Sequence, residues 1–151
     1  MKILGIRNAP TKIRFCVIDV DGVDFDFSNA KDENLISLPK SLVKESELYE
    51  WIKSEYSRIF HKYGPFDHMA IKQNENVSTR YSRVKPVMFM DCIATIVAIE
   101  NKTEFSFNLY ANIGTNKKGI LKFAESKADK SELHWNTQMA DAISAAILNA
   151  I

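Results

Sequence analysis

The chain is poor in the residues that build metal, disulfide and membrane chemistry. Two cysteines are spread over 151 residues. Cys16 and Cys92 lie in separate apolar segments with no ligand spacing between them, so both are predicted to be buried reduced thiols, and neither a disulfide framework nor a zinc motif is expected. The three histidines are no more suggestive. His61 and His134 fall on predicted helices and His68 inside a predicted strand, none with a carboxylate or cysteine at a supporting spacing, which leaves no recognisable triad or zinc site. No apolar run reaches the roughly 18 residues needed to span a bilayer, and the chain opens on a strand pattern rather than a secretory leader. A cytoplasmic protein without a membrane partner is therefore expected. An excess of one charge is missing too: 20 Lys and Arg stand against 19 Asp and Glu. That balance excludes a surface coated for non-specific nucleic-acid binding and confines any anion site to a local patch.

What is present is enough apolar material, 46% of residues, to close one core. No linker, repeat or low-complexity tract divides the chain, and residues 1–151 are read as a single α/β domain. Lys2 to Asn8 and Ile13 to Val20 are β-rich runs around the turn-like Ala9-Pro10-Thr11-Lys12, and Asp21-Gly22 predicts a type I′ turn into a third strand, Val23 to Phe27. Three antiparallel strands thus open the domain. Asp19, Asp21, Asp24 and Asp26 crowd this hairpin as calcium ligands would. The glycine is misplaced for an EF-hand loop, however, and Val23, Phe25 and Phe27 alternate with the acids as in a half-buried strand.

Ser28 to Lys44 is polar and irregular. Leu48, Trp51, Ile52, Ile59, Phe60 and Tyr63 then trace the inner stripe of a helix ending at Gly64-Pro65. A short strand over Phe66 to Gln73 should return parallel to the first, placing Arg7 and Lys72 together at the carboxyl ends of adjacent strands. Asn74 to Lys85 is a basic loop carrying Arg80, Tyr81, Arg83 and Lys85. Pro86 is placed in the first turn of the next helix, and Val87 to Ile99, apolar nearly all round, predicts a buried helix. Thr103 to Ala111 alternates as a fifth strand. Gly114 and Gly119 have phosphate-loop spacing, but Ile120-Leu121 stand where such a loop needs Lys and Ser or Thr, which removes that reading. Leu133 to Ile151 closes the chain as a small-residue helix with Asp141 just off its apolar stripe.

Ile3-Leu-Gly-Ile-Arg7, Phe66-Asp-His-Met-Ala-Ile-Lys-Gln73 and Gln138-Met-Ala-Asp141 resemble, in order, the opening strand, the middle strand and the last helix of RuvC-like domains of the RNase H superfamily. The likeness covers nearly the whole chain and is closest to small uncharacterised bacterial RuvC-like proteins. It implies an RNase H-like fold: a mixed five-stranded sheet, three antiparallel strands and then parallel ones, flanked by helices. It also implies a two-metal nuclease site built from converging carboxylates. Here the corresponding positions read Arg7, Lys72 or Gln73, Gln138 and Asp141, and two cations would repel metal ions rather than bind them. No metal or cofactor is therefore expected, and catalysis is expected to be lost.

Two outcomes follow for Arg7 and Lys72. They hold an anion such as a nucleic-acid phosphate, with Arg80, Tyr81, Arg83 and Lys85 extending the patch, or Arg7 pairs internally with Asp141. Two further readings stay open: a nuclease with a rearranged carboxylate site using Glu75 and Asp141, and a structural scaffold or homodimer in which the Ala-rich stretch Ser144 to Ile151 packs on a copy of itself.

Overall fold

A computed structural model of the protein describes residues 1–75 and 81–150. Strands β1 (Lys2–Ala9), β2 (Lys12–Asp21) and β3 (Asp24–Phe27) form the antiparallel meander, followed by a short β4 (Leu35–Ser37). Then come helix α1 (Glu45–Tyr63), strand β5 (His68–Lys72), helix α2 (Tyr81–Glu100) and strand β6 (Glu104–Asn108). Two short helices, α3 (Tyr110–Ile113) and α4 (Ile120–Glu125), lead to the last helix, α5 (Thr137–Leu148). The strands lie in the order β3-β2-β1-β5-β6, with β4 paired to the start of β2. β5 runs parallel to β1 and β6 parallel to β5, as helical connections through α1 and α2 allow.

Alternation along β1 divides the core into two layers. Leu4 and Ile6 face one way with Met69 and Ile71 of β5, against α1 and α2. Ile3 and Gly5 face the other way, where Ile3, Cys16, Ile18 and Ala70 pack against α4 and the Ala-rich face of α5. A Cβ at Gly5 would fall inside contact distance of the Ala142 carbonyl oxygen and 2.6 Å from Cys16 Sγ. Only glycine lets α5 lie this close to β1.

Several elements depart from the sequence expectation. The sheet gains a sixth strand because the polar stretch after β3 is ordered from outside itself: Asn29 accepts from Val17 N–H at 2.7 Å, and Arg58 of α1 holds Glu33 through two 2.7 Å contacts. The hairpin turn is centred on Gly22-Val23 rather than Asp21-Gly22. Asp21 pairs with Asp24, and only Gly22, at φ +61°, takes a positive angle, the type II′ signature rather than type I′. Pro86 lies in the second turn of α2, not the first. That helix is not buried all round: Met88, Cys92, Ile96 and Ile99 are exposed, so Cys92 is an exposed free thiol while Cys16 is buried. The fifth expected strand stops at Asn108, because Tyr110 and Ala111 turn into α3. The last helix begins at Thr137, leaving His134 in a left-handed turn at φ 62° ahead of it. Residues Ala142 to Ile147 of α5 are completely buried in the protein's own core, so that stretch has no face to offer a second copy.

Candidate functional site

Arg7, two residues before the end of β1, and Lys72, the last residue of β5, lie on neighbouring parallel strands and point to the α5 side of the sheet. The Asn136 side chain caps α5 by accepting from the N–H groups of Gln138 and Met139, at 2.9 and 3.0 Å, which places Gln138 and Asp141 on its first turns above the strand ends. The close approach allowed by Gly5 then brings Asp141 onto Arg7. Arg7 Nε donates to Asp141 Oδ2 at 3.1 Å, its Nη1 to the Lys72 carbonyl at 3.1 Å, and its Nη2 to Asn74 Oδ1 at 2.6 Å. The other Asp141 oxygen accepts from the Tyr110 hydroxyl at 2.8 Å. Asp141 is 2% exposed; burial pushes its carboxyl up, against the pull of Arg7, Tyr110 and Lys72.

Lys72 is 1% exposed and equally occupied. Its Nζ donates to Glu75 Oε1 at 2.6 Å and to the Gln73 carbonyl at 2.7 Å, and stands 3.8 Å from the centre of the Tyr110 ring. Burial draws the Lys72 ammonium below its ordinary value, with Glu75 opposing. Burial also raises Glu75, but the Lys72 ammonium and the Tyr110 N–H outweigh it and hold that carboxyl low. The result is two cations and two anions that neutralise one another around a single tyrosine.

The carbonyl of Gln73 is taken by Lys72 and its N–H by Asn108. Gln138 accepts from Arg14. Arg7, Asn74, Glu75, Tyr110, Gln138 and Asp141 line one side of a cleft of about 810 Å³, and Arg83 and Lys117 stand on its rim. Of the loop residues expected to bind an anion, Arg83 alone lines this cleft among the described residues. Tyr81 is exposed, while Lys85 turns away to Glu45 of α1 at 2.5 Å, and Arg80 lies outside the described residues. Sequence reasoning missed Tyr110, Lys117 and Arg14. It missed as well a buried chain on the opposite face of β1: Tyr56 hydroxyl to Asn8 Oδ1 at 2.7 Å, and Asn8 Nδ2 to Asp91 Oδ1 at 2.8 Å. Burial raises Asp91 to about 6. Two of these carried a signal, a lone charge inside an apolar run: Arg14 in Ile13-Arg-Phe-Cys-Val17 and Asp91 in Val87 to Ile99.

Two divalent ions do not fit these residues. Glu75 and Asp141 are each engaged by a cation at hydrogen-bond distance, and among the described residues no three His, Cys, Asp or Glu side chains converge as metal ligands.

A mixed sheet of this order, with its last helix laid across the first strand, is the RNase H-like fold in its RuvC form. The structure superposes on Thermus thermophilus RuvC with a TM-score of 0.79 at 14% identity, covering 99% of this chain and 93% of that one. It matches the same protein in complex with Holliday junction substrate at 0.78, with the same identity and coverage. Against the yeast mitochondrial Holliday junction resolvase the score is 0.65 at 13% identity, over 97% of this chain and 76% of that one. No protein-family profile and no curated protein matches the sequence. Among the described residues, no helix is long and apolar enough to cross a membrane.

Proposed function

We propose that the protein is a RuvC-fold domain that has given up two-metal nuclease chemistry and binds a phosphate-bearing ligand, nucleic acid in the first instance, in the cleft above β1 and β5. One observation carries this reading: the carboxylates nearest the strand ends are each consumed by an internal cation, Arg7 on Asp141 and Lys72 on Glu75, while Arg83 and Lys117 on the rim enter no ion pair among the described residues. The solved structures of similar fold include a RuvC bound to Holliday junction substrate, which makes branched or duplex DNA the first ligand to try. The anion would meet the rim cations rather than Lys72, whose ammonium is enclosed.

The test has two arms. Pure protein with magnesium or manganese should leave junction, duplex and single-stranded substrates uncut; cleavage abolished by Asp141→Asn would instead establish the alternative, a nuclease using Glu75 and Asp141. Binding should weaken with salt, and Arg83→Ala with Lys117→Ala should lower the salt slope by about two, one for each phosphate contact removed. Salt-insensitive or absent binding would remove the nucleic-acid reading.

A second reading, a self-associating scaffold, is favoured by the apolar residues that α2 and edge strand β6 leave exposed, Met88, Ile96, Ile99, Phe105 and Phe107. The exposed thiol of Cys92 suits a reducing compartment such as the cytoplasm.

A further inference from the structure

Among the described residues near the cleft, Arg14 is a buried cation that no acid balances. It lies directly across from Arg7 in the β1–β2 register, on the same face of the sheet. Arg7 has Asp141; among the described residues Arg14 has only a neutral partner, its Nη1 donating to Gln138 Oε1. Arg14 is 7% exposed, and its buried Nε has no hydrogen-bond partner among the described residues. Burial and the neighbouring Arg7 charge draw its guanidinium below the ordinary value, and no acid opposes them. A buried cation without a counter-charge is costly, and a single amide oxygen offsets little of that cost. The first turn of α5, where this guanidinium ends, has two of its N–H groups already taken by Asn136, so the unmet demand belongs to Arg14 itself.

We propose that Arg14 is the anchor of a phosphate subsite in the α5 wall of the cleft, with Gln138 as its latch. Gln138 lines the cleft, and its amide oxygen caps the Arg14 guanidinium behind it. Rotation of the Gln138 side chain opens the guanidinium, and a phosphate oxygen replaces the amide as acceptor. The anion brings the negative charge that the amide lacks, and Arg presents a planar fork matched to two phosphate oxygens. Thr137 and Arg83 line the same cleft and are the further donors offered to the remaining phosphate oxygens. This subsite rests on the reading that the cleft receives phosphate, and it moves the anchor from Arg7 and Lys72, which are neutralised, to Arg14.

The experiment is thermal unfolding of the full chain in inorganic phosphate against chloride at equal ionic strength, for wild type, Arg14→Met and Gln138→Ala. Wild type should show a Tm that rises with phosphate, Gln138→Ala the same or a larger rise, and Arg14→Met none, with an unliganded Tm no lower than wild type because a buried uncompensated charge has gone. Equal phosphate responses in wild type and Arg14→Met, no response in wild type, or an unliganded Arg14→Met that unfolds well below wild type would each overturn the proposal. Independently of any variant, the Arg14 Nε–H resonance of wild type should shift on phosphate titration, and a resonance that stays put also overturns it. Competition by a dinucleotide with and without a 5′-phosphate separates the sources. Equal competition identifies an internal phosphodiester, and competition only by the phosphorylated form identifies a terminal or free phosphate; either requires at least about a tenfold weakening in Arg14→Met. If long oligonucleotides bind both proteins alike, the anchor is wrong and the cleft reading survives. If phosphate acts through Arg14 while no oligonucleotide binds, the nucleic-acid reading fails and the anchor stands.

Discussion

Arg7 and Asp141 form the pair on which the site's interior depends, because each is buried enough that losing its partner strands a charge. Asp141→Asn or Arg7→Met should cost about 3 to 5 kcal/mol, whereas Arg7→Met combined with Asp141→Leu should cost much less than the sum, since the pair's own attraction is largely offset by its desolvation. Urea unfolding of the four proteins measures this, and additive costs would contradict it. Asp91 is the second residue with a definite consequence. Burial raises it from an ordinary 3.8 to about 6, so between those pH values the folded protein holds a proton that the unfolded chain releases. The stability from that proton is complete below about pH 4 and disappears as pH rises through 6. Relative to Asp91→Asn, wild type should therefore lose about 3 kcal/mol between pH 4 and pH 8. A difference between the two proteins that stays flat with pH would show that Asp91 titrates normally.

At the level of elements, the site is assembled by how closely α5 approaches β1. Gly5→Ala places a methyl group against the Ala142 backbone, which cannot swing aside, and against the Sγ of the fully buried Cys16. The helix must withdraw, at a cost of roughly 3 kcal/mol, and Arg7 and Asp141 should separate with it. A Gly5→Ala protein as stable as wild type would mean that the helix has room the structure does not show. The stretch ahead of α1 illustrates the converse dependence. Its order comes from Arg58, Lys62 and Tyr63 of α1 holding Asp32 and Glu33, so nothing in its own polar composition announces β4.

Over the whole molecule, a net charge of +1 leaves no long-range attraction to draw in a polyanion, so the proposed binding rests on a few rim residues at short range. The apolar surface is distributed just as unevenly, with Ile96 and Ile99 of α2 and Phe105 and Phe107 of β6 all exposed. If the scaffold reading holds, sedimentation at rising concentration should show an association that Ile96→Glu together with Phe107→Glu abolishes without unfolding the domain. A monomer at every concentration would exclude it.

The order of β1, β2, β3, α1, β5, α2, β6 and α5, the parallel return of β5 beside β1 and the meeting of Arg7 with Lys72 were determined by the sequence itself. Hydrophobic period, Gly-Pro punctuation and the handedness of crossovers are local or topological constraints that a single chain carries openly. Tertiary structure decided the rest. Whether Arg7 faces a ligand or Asp141 turned on the depth to which α5 sinks over Gly5, and whether Lys72 is accessible turned on Glu75 and Tyr110, which arrive from the segment after β5 and from the start of α3. Arg14 lost its access to water, and so acquired its unmet demand, only when α5 was laid over the sheet. Desolvation is a property of what covers a side chain, and these covering residues are separated from it by up to 134 positions of sequence.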